Sequence, residues 1–180
     1  MEINKVFLEI GEMMIKGKND PLVDEFAKEV KNVSGNLSDN LLWKVANSVT
    51  YVKDIKEYWQ SPAETLRKSQ GDCEDFTILL GATALRLGIL TRYKVVSTNG
   101  ETWDHIYPLL YEPSNKTWMS ADATLDNIRL GRECQHLTEA IFGLNGGVYQ
   151  LGSYIQYSSF EWLFAFAITI LAIMAIVIHR

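Results

Sequence analysis

Gly71-Asp72-Cys73-Glu74-Asp75-Phe76-Thr77 leads into an apolar run over residues 78–87 and stops at Gly88. Asp is a favoured N-cap, so Asp72 predicts a helix whose first residue is Cys73. Its sulfur would then lie near unpaired N–H groups and the positive end of the helix dipole, a place that favours thiolate. A packing cysteine would find little to pack against in so polar a cluster. The carboxylates of Asp72, Glu74 and Asp75 oppose thiolate formation, because negative charge raises a thiol pKa. A reactive Cys73 therefore requires a basic partner, and downstream the strand-like stretch around Trp103-Asp104-His105-Ile106-Tyr107 and the strand end Met119-Ser120-Ala121-Asp122 supply an imidazole and a carboxylate. Together the three have the composition of a Cys/His/acid nucleophilic site.

Upstream the pattern is helical. Ile3, Val6, Phe7, Ile10, Met13 and Met14 recur at three- and four-residue steps before Gly17. Asp20-Pro21 reads as N-cap and first residue of a second helix, and Ser38 as the cap of a third that carries Leu41, Leu42, Val45, Val49, Val52 and Ile55 on one side. Ser61-Pro62-Ala63-Glu64 has the capping-box form and predicts a short fourth helix over 62–69. After Gly88 the chain turns β-branched and aromatic. Strands are predicted over 92–98, 101–111 and 116–122, with Asn99-Gly100 as a hairpin and Glu112-Pro113-Ser114-Asn115 as a four-residue loop. In that register Tyr111 faces Lys116 and His105 faces Asp122, with Cβ atoms about 5 Å apart. Pro108 then falls beyond the start of the first strand, where its missing N–H costs little. Residues 137–142 read as a short helix, and Gly143-Leu144-Asn145-Gly146-Gly147 as a breaker.

The 180 residues carry a net charge of -5 and a pI near 5.2, with Lys and Arg scattered, which excludes a basic nucleic-acid footprint. Two cysteines, Cys73 and Cys134, are too few for a disulfide scaffold, and no signal-peptide core follows the first residues. The default is free thiols in a reducing compartment. A metal centre is the rival chemistry: Cys73, His105, Cys134 and His136 make a Cys2His2 set on paper, although no Cys-x2-Cys or His-x3-His pair holds it together. Zinc content separates the two readings.

Trp59-Gln60-Ser61-Pro62-Ala63-Glu64-Thr65-Leu66, Gly71-Asp72-Cys73-Glu74-Asp75, Leu85-Arg86-Leu87-Gly88-Ile89, Asp104-His105 and Ala121-Asp122 together resemble the transglutaminase-like cysteine hydrolase superfamily, bacterial and phage members included. The resemblance covers residues 50–124. It implies a papain-like α+β fold, with the Cys-bearing helix packed on a small antiparallel sheet. It implies Cys73 as nucleophile, His105 as base and Asp122 as orienter, and acyl transfer on peptide or isopeptide amides through a thioester without a cofactor. The backbone N–H of Cys73 and a donor from Trp59 or Gln60 are the expected oxyanion contacts.

The chain thus divides into N-terminal helices (1–37), the core (38–124), an extension or tether (125–160) and a C-terminal transmembrane helix (161–180). Residues 162–178 are uncharged and reach roughly 26 Å as a helix, with Tyr154, Tyr157, Phe160 and Trp162 as an interfacial aromatic group and Arg180 able to snorkel. A buried core helix is the alternative. No charge occurs over 140–160, which suits a tether near lipid headgroups. The expected function is a membrane-anchored thiol amide hydrolase with a peptide or protein substrate. A structural membrane protein of a virion or envelope assembly, docking on membrane or capsid proteins through the same fold, is the alternative.

Overall fold

A computed structural model describes residues 3–54 and 58–153. The expected anchor, residues 161–180, lies outside them, as does Ile55, and among the described residues no helix is long and apolar enough to cross a membrane. Five helices precede the main sheet: α1 (Ile3–Gly17), α2 (Pro21–Lys31), α3 (Leu37–Ser48), α4 (Pro62–Lys68) and α5 (Cys73–Arg86). Two-residue strands β1 (Thr50–Tyr51) and β2 (Gln70–Gly71) pair in parallel between them. The remaining strands are β3 (Thr91–Ser97), β4 (His105–Glu112), β5 (Thr117–Ser120), β6 (Thr138–Phe142) and β7 (Val148–Ser153). They form one antiparallel sheet in the order β5-β4-β3-β6-β7.

The central helix is α5, apolar all round because it is enclosed all round. Phe76, Leu79, Leu80 and Ala84 pack with Phe26, Val30, Leu41 and Leu42 of α2 and α3, and with Leu110 of β4. On another side Ile78 joins Ile10 and Met14 of α1, Tyr93 and Val95 of β3, and Ile106 of β4. A Cβ at Gly81 would come within 2.5 Å of the Met14 sulfur, so the glycine lets α1 lie close against α5. The Met and Phe stripe of α1 is core, as its spacing predicts.

Several local readings are corrected. Asn36, whose side chain accepts from the Asp39 N–H, caps α3 in place of Ser38. The Ser38 hydroxyl instead donates to the buried Glu112, which also accepts from Asn36 at 2.9 Å. That helix ends at Ser48, and Val52 is exposed beyond it, because β1 intervenes. At α4, Ser61 accepts from the Glu64 N–H, but the Glu64 carboxylate takes up Tyr58 and Lys68 rather than closing the capping box.

Residues 137–142, expected as a helix, supply β6, which pairs with β3 inside the sheet, and β7 covers its far side. Part of the segment read as a tether is therefore sheet. The cause is visible in burial: Ala140 and Phe142 face inward while Glu139 and Ile141 between and beside them do not, a period of two.

The β4–β5 hairpin differs from the predicted register by two residues: Tyr111 faces Trp118 and Glu112 faces Thr117. The loop is shifted because Lys116 adopts φ +56°, Asn115 accepts from the Thr117 N–H and hydroxyl, and Glu112 is held in the strand by Asn36 and Ser38. A shift of two keeps every side chain on its face, where a shift of one would have reversed them. Pro108, expected beyond the start of β3, sits inside β4 opposite Tyr93. Its carbonyl accepts from Ala121, so its missing N–H points past the end of β5 and leaves the β3 ladder intact.

Candidate active site

The tight Asn99-Gly100 hairpin opens into a longer loop, because β3 and β4 stop pairing at Val96 and His105. Asn99 accepts from the Glu101 and Thr102 N–H groups, and Asp104 accepts from the N–H and hydroxyl of Thr98. His105 is thereby the first residue of β4, at the mouth of the loop. Its Nε2 lies 2.8 Å from Asp122 Oδ2, and the Asp122 side chain is fully enclosed. The other carboxylate oxygen accepts from the N–H and hydroxyl of Thr124, so Asp122 both stabilises the turn that follows β5 and meets the imidazole. Continuing the observed register puts Asp122 opposite Tyr107, a diagonal step from His105, still within reach across an antiparallel pair.

Cys73 starts α5, as Asp72 predicts, and shares a cavity of about 380 Å³ with His105. The walls include Trp59, Trp103, Asp72, Glu74 and Asp104. Thr77, one turn along α5, donates its hydroxyl to the Ile106 carbonyl at 3.0 Å. That bond ties the start of the helix to the residue after His105. Nothing in the isolated sequence marks Thr77 for this work.

The arrangement works against the thiolate expected from the helix end. Cys73 Sγ donates to Glu74 Oε2 at 3.0 Å. Burial, then Glu74, then Asp72 push the thiol pKa up, with the Ile106 backbone working the other way. A helix end contributes about 0.3–1 kcal/mol at an exposed site, too little against burial and two carboxylates. The third acid, Asp75, has a different task. It is fully buried and accepts from the Gln60 N–H and Nε2, both at 2.7 Å, and from the Asp72 N–H at 3.3 Å. Asp75 thus locks the 59–60 segment onto the start of α5, and the N-cap to N3 spacing from Asp72 is the signal that announces it. Gly71 is required beside it, since a Cβ there would lie 2.6 Å from that of Asp75.

Those bonds commit Gln60 to Asp75 and remove it as an oxyanion donor. Trp59 is different: its Nε1 is buried, without a hydrogen-bond partner among the described residues, on the wall of the cavity that holds Cys73. The Cys2His2 metal set does not assemble. Cys134 clusters with His105 and Asp122, His136 with Glu133 and Glu139, and Cys73 is engaged with Glu74.

Two raised carboxyls give the fold a pH dependence of definite sign. Burial, then Glu74 and Asp75, push Asp72 up to about 7, and burial pushes Asp75 up to about 6, from an ordinary value of 3.8. Between that ordinary value and these raised ones the folded chain binds more protons than the unfolded chain. Their contribution to stability is complete at low pH and is lost as pH rises through the folded values. Glu139, held below its ordinary 4.5 by Lys94 and His136 despite burial, has the opposite sign, but its change falls at lower pH. The thermal midpoint is expected to fall between pH 5 and pH 7.5, and to fall less in Asp72→Asn, which keeps a capping side chain. An equal fall in both proteins would contradict this assignment.

A helix that begins at a cysteine, packed on an antiparallel sheet whose strands bring His105 to Asp122, gives a mixed α+β core. A family model described as the transglutaminase-like superfamily matches residues 20–123, and the chain belongs to that superfamily. Among solved structures, a candidate protease from Parabacteroides distasonis is 14% identical with a TM-score of 0.56, over 86% of this chain and 32% of its own. A candidate cysteine protease from Cytophaga hutchinsonii is 21% identical, with a TM-score of 0.48, over 76% of this chain and 52% of its own. Calcium-bound LapG of Legionella pneumophila is 17% identical, with a TM-score of 0.45, over 76% of this chain and 93% of its own. The chain thus spans about a third of the Parabacteroides protein and about half of the Cytophaga protein. No curated protein sequence matches it.

Proposed function

We propose that this protein is a cysteine peptidase or amidase that cleaves peptide or isopeptide amides through a thioester on Cys73. The observation that carries the reading is the 2.8 Å contact between His105 Nε2 and the buried Asp122, at the rim of the cavity that Cys73 lines. With Nε2 donating to Asp122, Nδ1 is left as the acceptor for the Cys73 proton. The sulfur attacks the amide carbon, and the oxyanion takes hydrogen bonds from the Cys73 N–H and Trp59 Nε1. His105 returns the proton to the departing amine, then removes one from the water that hydrolyses the thioester. Asp122 holds the ring and steadies the imidazolium. Water is taken as the acyl acceptor, because transamidation needs an amine to outcompete it.

Glu74 sets the resting state. By accepting from the thiol it keeps Cys73 protonated until a substrate enters and His105 takes the proton. Peptides bearing a thiol-reactive electrophile are expected to label Cys73, several-fold faster in Glu74→Gln, where one of the charges that push the thiol up is gone. Labelling of Cys134 alone would contradict the reading.

Residues 162–178 complete it as a membrane anchor. The full chain is expected to float with lipid vesicles, and a chain ending at residue 153 to remain behind. Equal behaviour of the two would remove the anchor and leave the hydrolase.

A further inference from the structure

The side of the His105–Asp122 pair away from Cys73 is not inert. Cys134 Sγ, a carboxylate oxygen of Asp122 and a ring nitrogen of His105 all lie within 4.8 Å of one another. Zinc bonds of about 2.0–2.3 Å set tetrahedral donors about 3.3–3.8 Å apart, so movements of about an ångström close such a site. Thiolate, imidazole and carboxylate are the donors zinc takes in proteins. A second feature points to the same place. Tyr107 is 1% exposed, and its hydroxyl has no hydrogen-bond partner among the described residues. Its ring lies 5.6 Å from the His105 ring, in the cluster against which Cys134 packs. A buried hydroxyl without a partner is costly, and an outer contact to a metal-held carboxylate or water would satisfy it.

We propose that His105 Nε2, Asp122 and Cys134 Sγ form a binding site for a thiophilic divalent cation of the zinc class, and that the bound cation switches off the thiol chemistry of Cys73. Binding releases the Cys134 proton to solvent and moves the proton on His105 Nε2 to Nδ1. The ring nitrogen that would have accepted from Cys73 then carries a hydrogen, and the sulfur has no base. Without a cation, burial, then Asp122 and Glu133, push the Cys134 thiol up to about 11, and a bound cation would favour the thiolate instead. The other cluster of possible ligands, Glu133, His136 and Glu139, already holds a cation. The Lys94 ammonium lies 2.9 and 3.1 Å from the Glu133 oxygens and 2.7 Å from Glu139, and would repel a metal.

Cobalt tests the site without reference to activity. Metal-free full-length chain, held in vesicles or detergent, is titrated with Co²⁺. One equivalent is expected to bring up a sulfur-to-cobalt charge-transfer band in the near ultraviolet, which Zn²⁺ then bleaches. The band should persist in Cys73→Ala and His136→Ala and disappear in Cys134→Ser, with Cys134→Ala as a second variant if the serine protein melts abnormally. No band, a band that survives loss of Cys134, or one that vanishes with Cys73 or His136 would overturn the site. Amide turnover then tests the switch: one equivalent of Zn²⁺ should reduce it more than tenfold in the wild type and leave Cys134→Ser unaffected. Equal inhibition of both would overturn the coupling. A chain with no turnover at all would refute the hydrolase, while the cobalt band would still decide the site.

Discussion

Cys73→Ala is expected to reduce amide turnover by on the order of 10⁴-fold or more, while shifting unfolding free energy by less than about 1 kcal/mol. The two magnitudes have different physical origins. Turnover requires a covalent bond to sulfur, and no other thiol stands in the cavity that His105 shares: Cys134 lies in the cluster beyond the His105–Asp122 contact. Stability loses only a single buried atom and a hydrogen bond to Glu74, whose carboxylate is then freed for solvent. A protein that keeps its turnover without Cys73 would show that the sulfur is packing. One that unfolds would show that the residue belongs to the scaffold, as the docking alternative requires.

Asp75→Ala is expected to do the reverse, costing about 3 kcal/mol or more and lowering the thermal midpoint by roughly 6–12 °C for a chain of this size. Three donors, two from Gln60 and one from Asp72, would be left facing a small apolar side chain. Each buried donor without a partner costs about 1–3 kcal/mol, and the losses are shared because the three groups relax together. Asp75→Asn recovers only part, since one of its side-chain atoms donates toward a donor. Denaturant titration of both variants at pH 7.5 checks this. A change below about 1 kcal/mol in the alanine variant would mean that the 59–60 segment is held by something other than Asp75.

These two residues also mark how far the chain could be read without coordinates. Cys73 was legible because an N-cap, a helix start and an apolar run are local, and local signals are settled by neighbours in sequence. The same holds for the starts of α2 and α4 at Asp20-Pro21 and Ser61-Pro62. Asp75 is different: the sequence shows it only as one more charge near the thiol, because its partner Gln60 comes from a separate segment and the bond depends on tertiary placement. The strand β6 was missed for a related reason. Five residues of alternating burial are indistinguishable from one helical turn until β3 is there to pair with them.

The meeting of His105 with Asp122 was anticipated from a register that is two residues off, and it survives because the side-chain period of a strand is two. Asn36 took the α3 cap from Ser38 because Glu112, more than 70 residues away, claims the serine hydroxyl. Composition places Cys134 and His105 in one candidate set, but the exchange of Cys73 and His136 for Asp122 has no sequence signal, since it depends on how the loop after β5 covers the outer face of the sheet.

The most direct measurement is intact-mass analysis of the full-length chain quenched in acid during turnover of a peptide amide or activated ester. The acyl group is expected as an added mass on Cys73, released by hydroxylamine, absent from Cys73→Ala, and accumulating poorly in His105→Ala, where the sulfur has lost its base. Turnover with no acyl mass on Cys73 under conditions that trap it, or the same mass on Cys134 with Cys73 unmodified, would contradict the account.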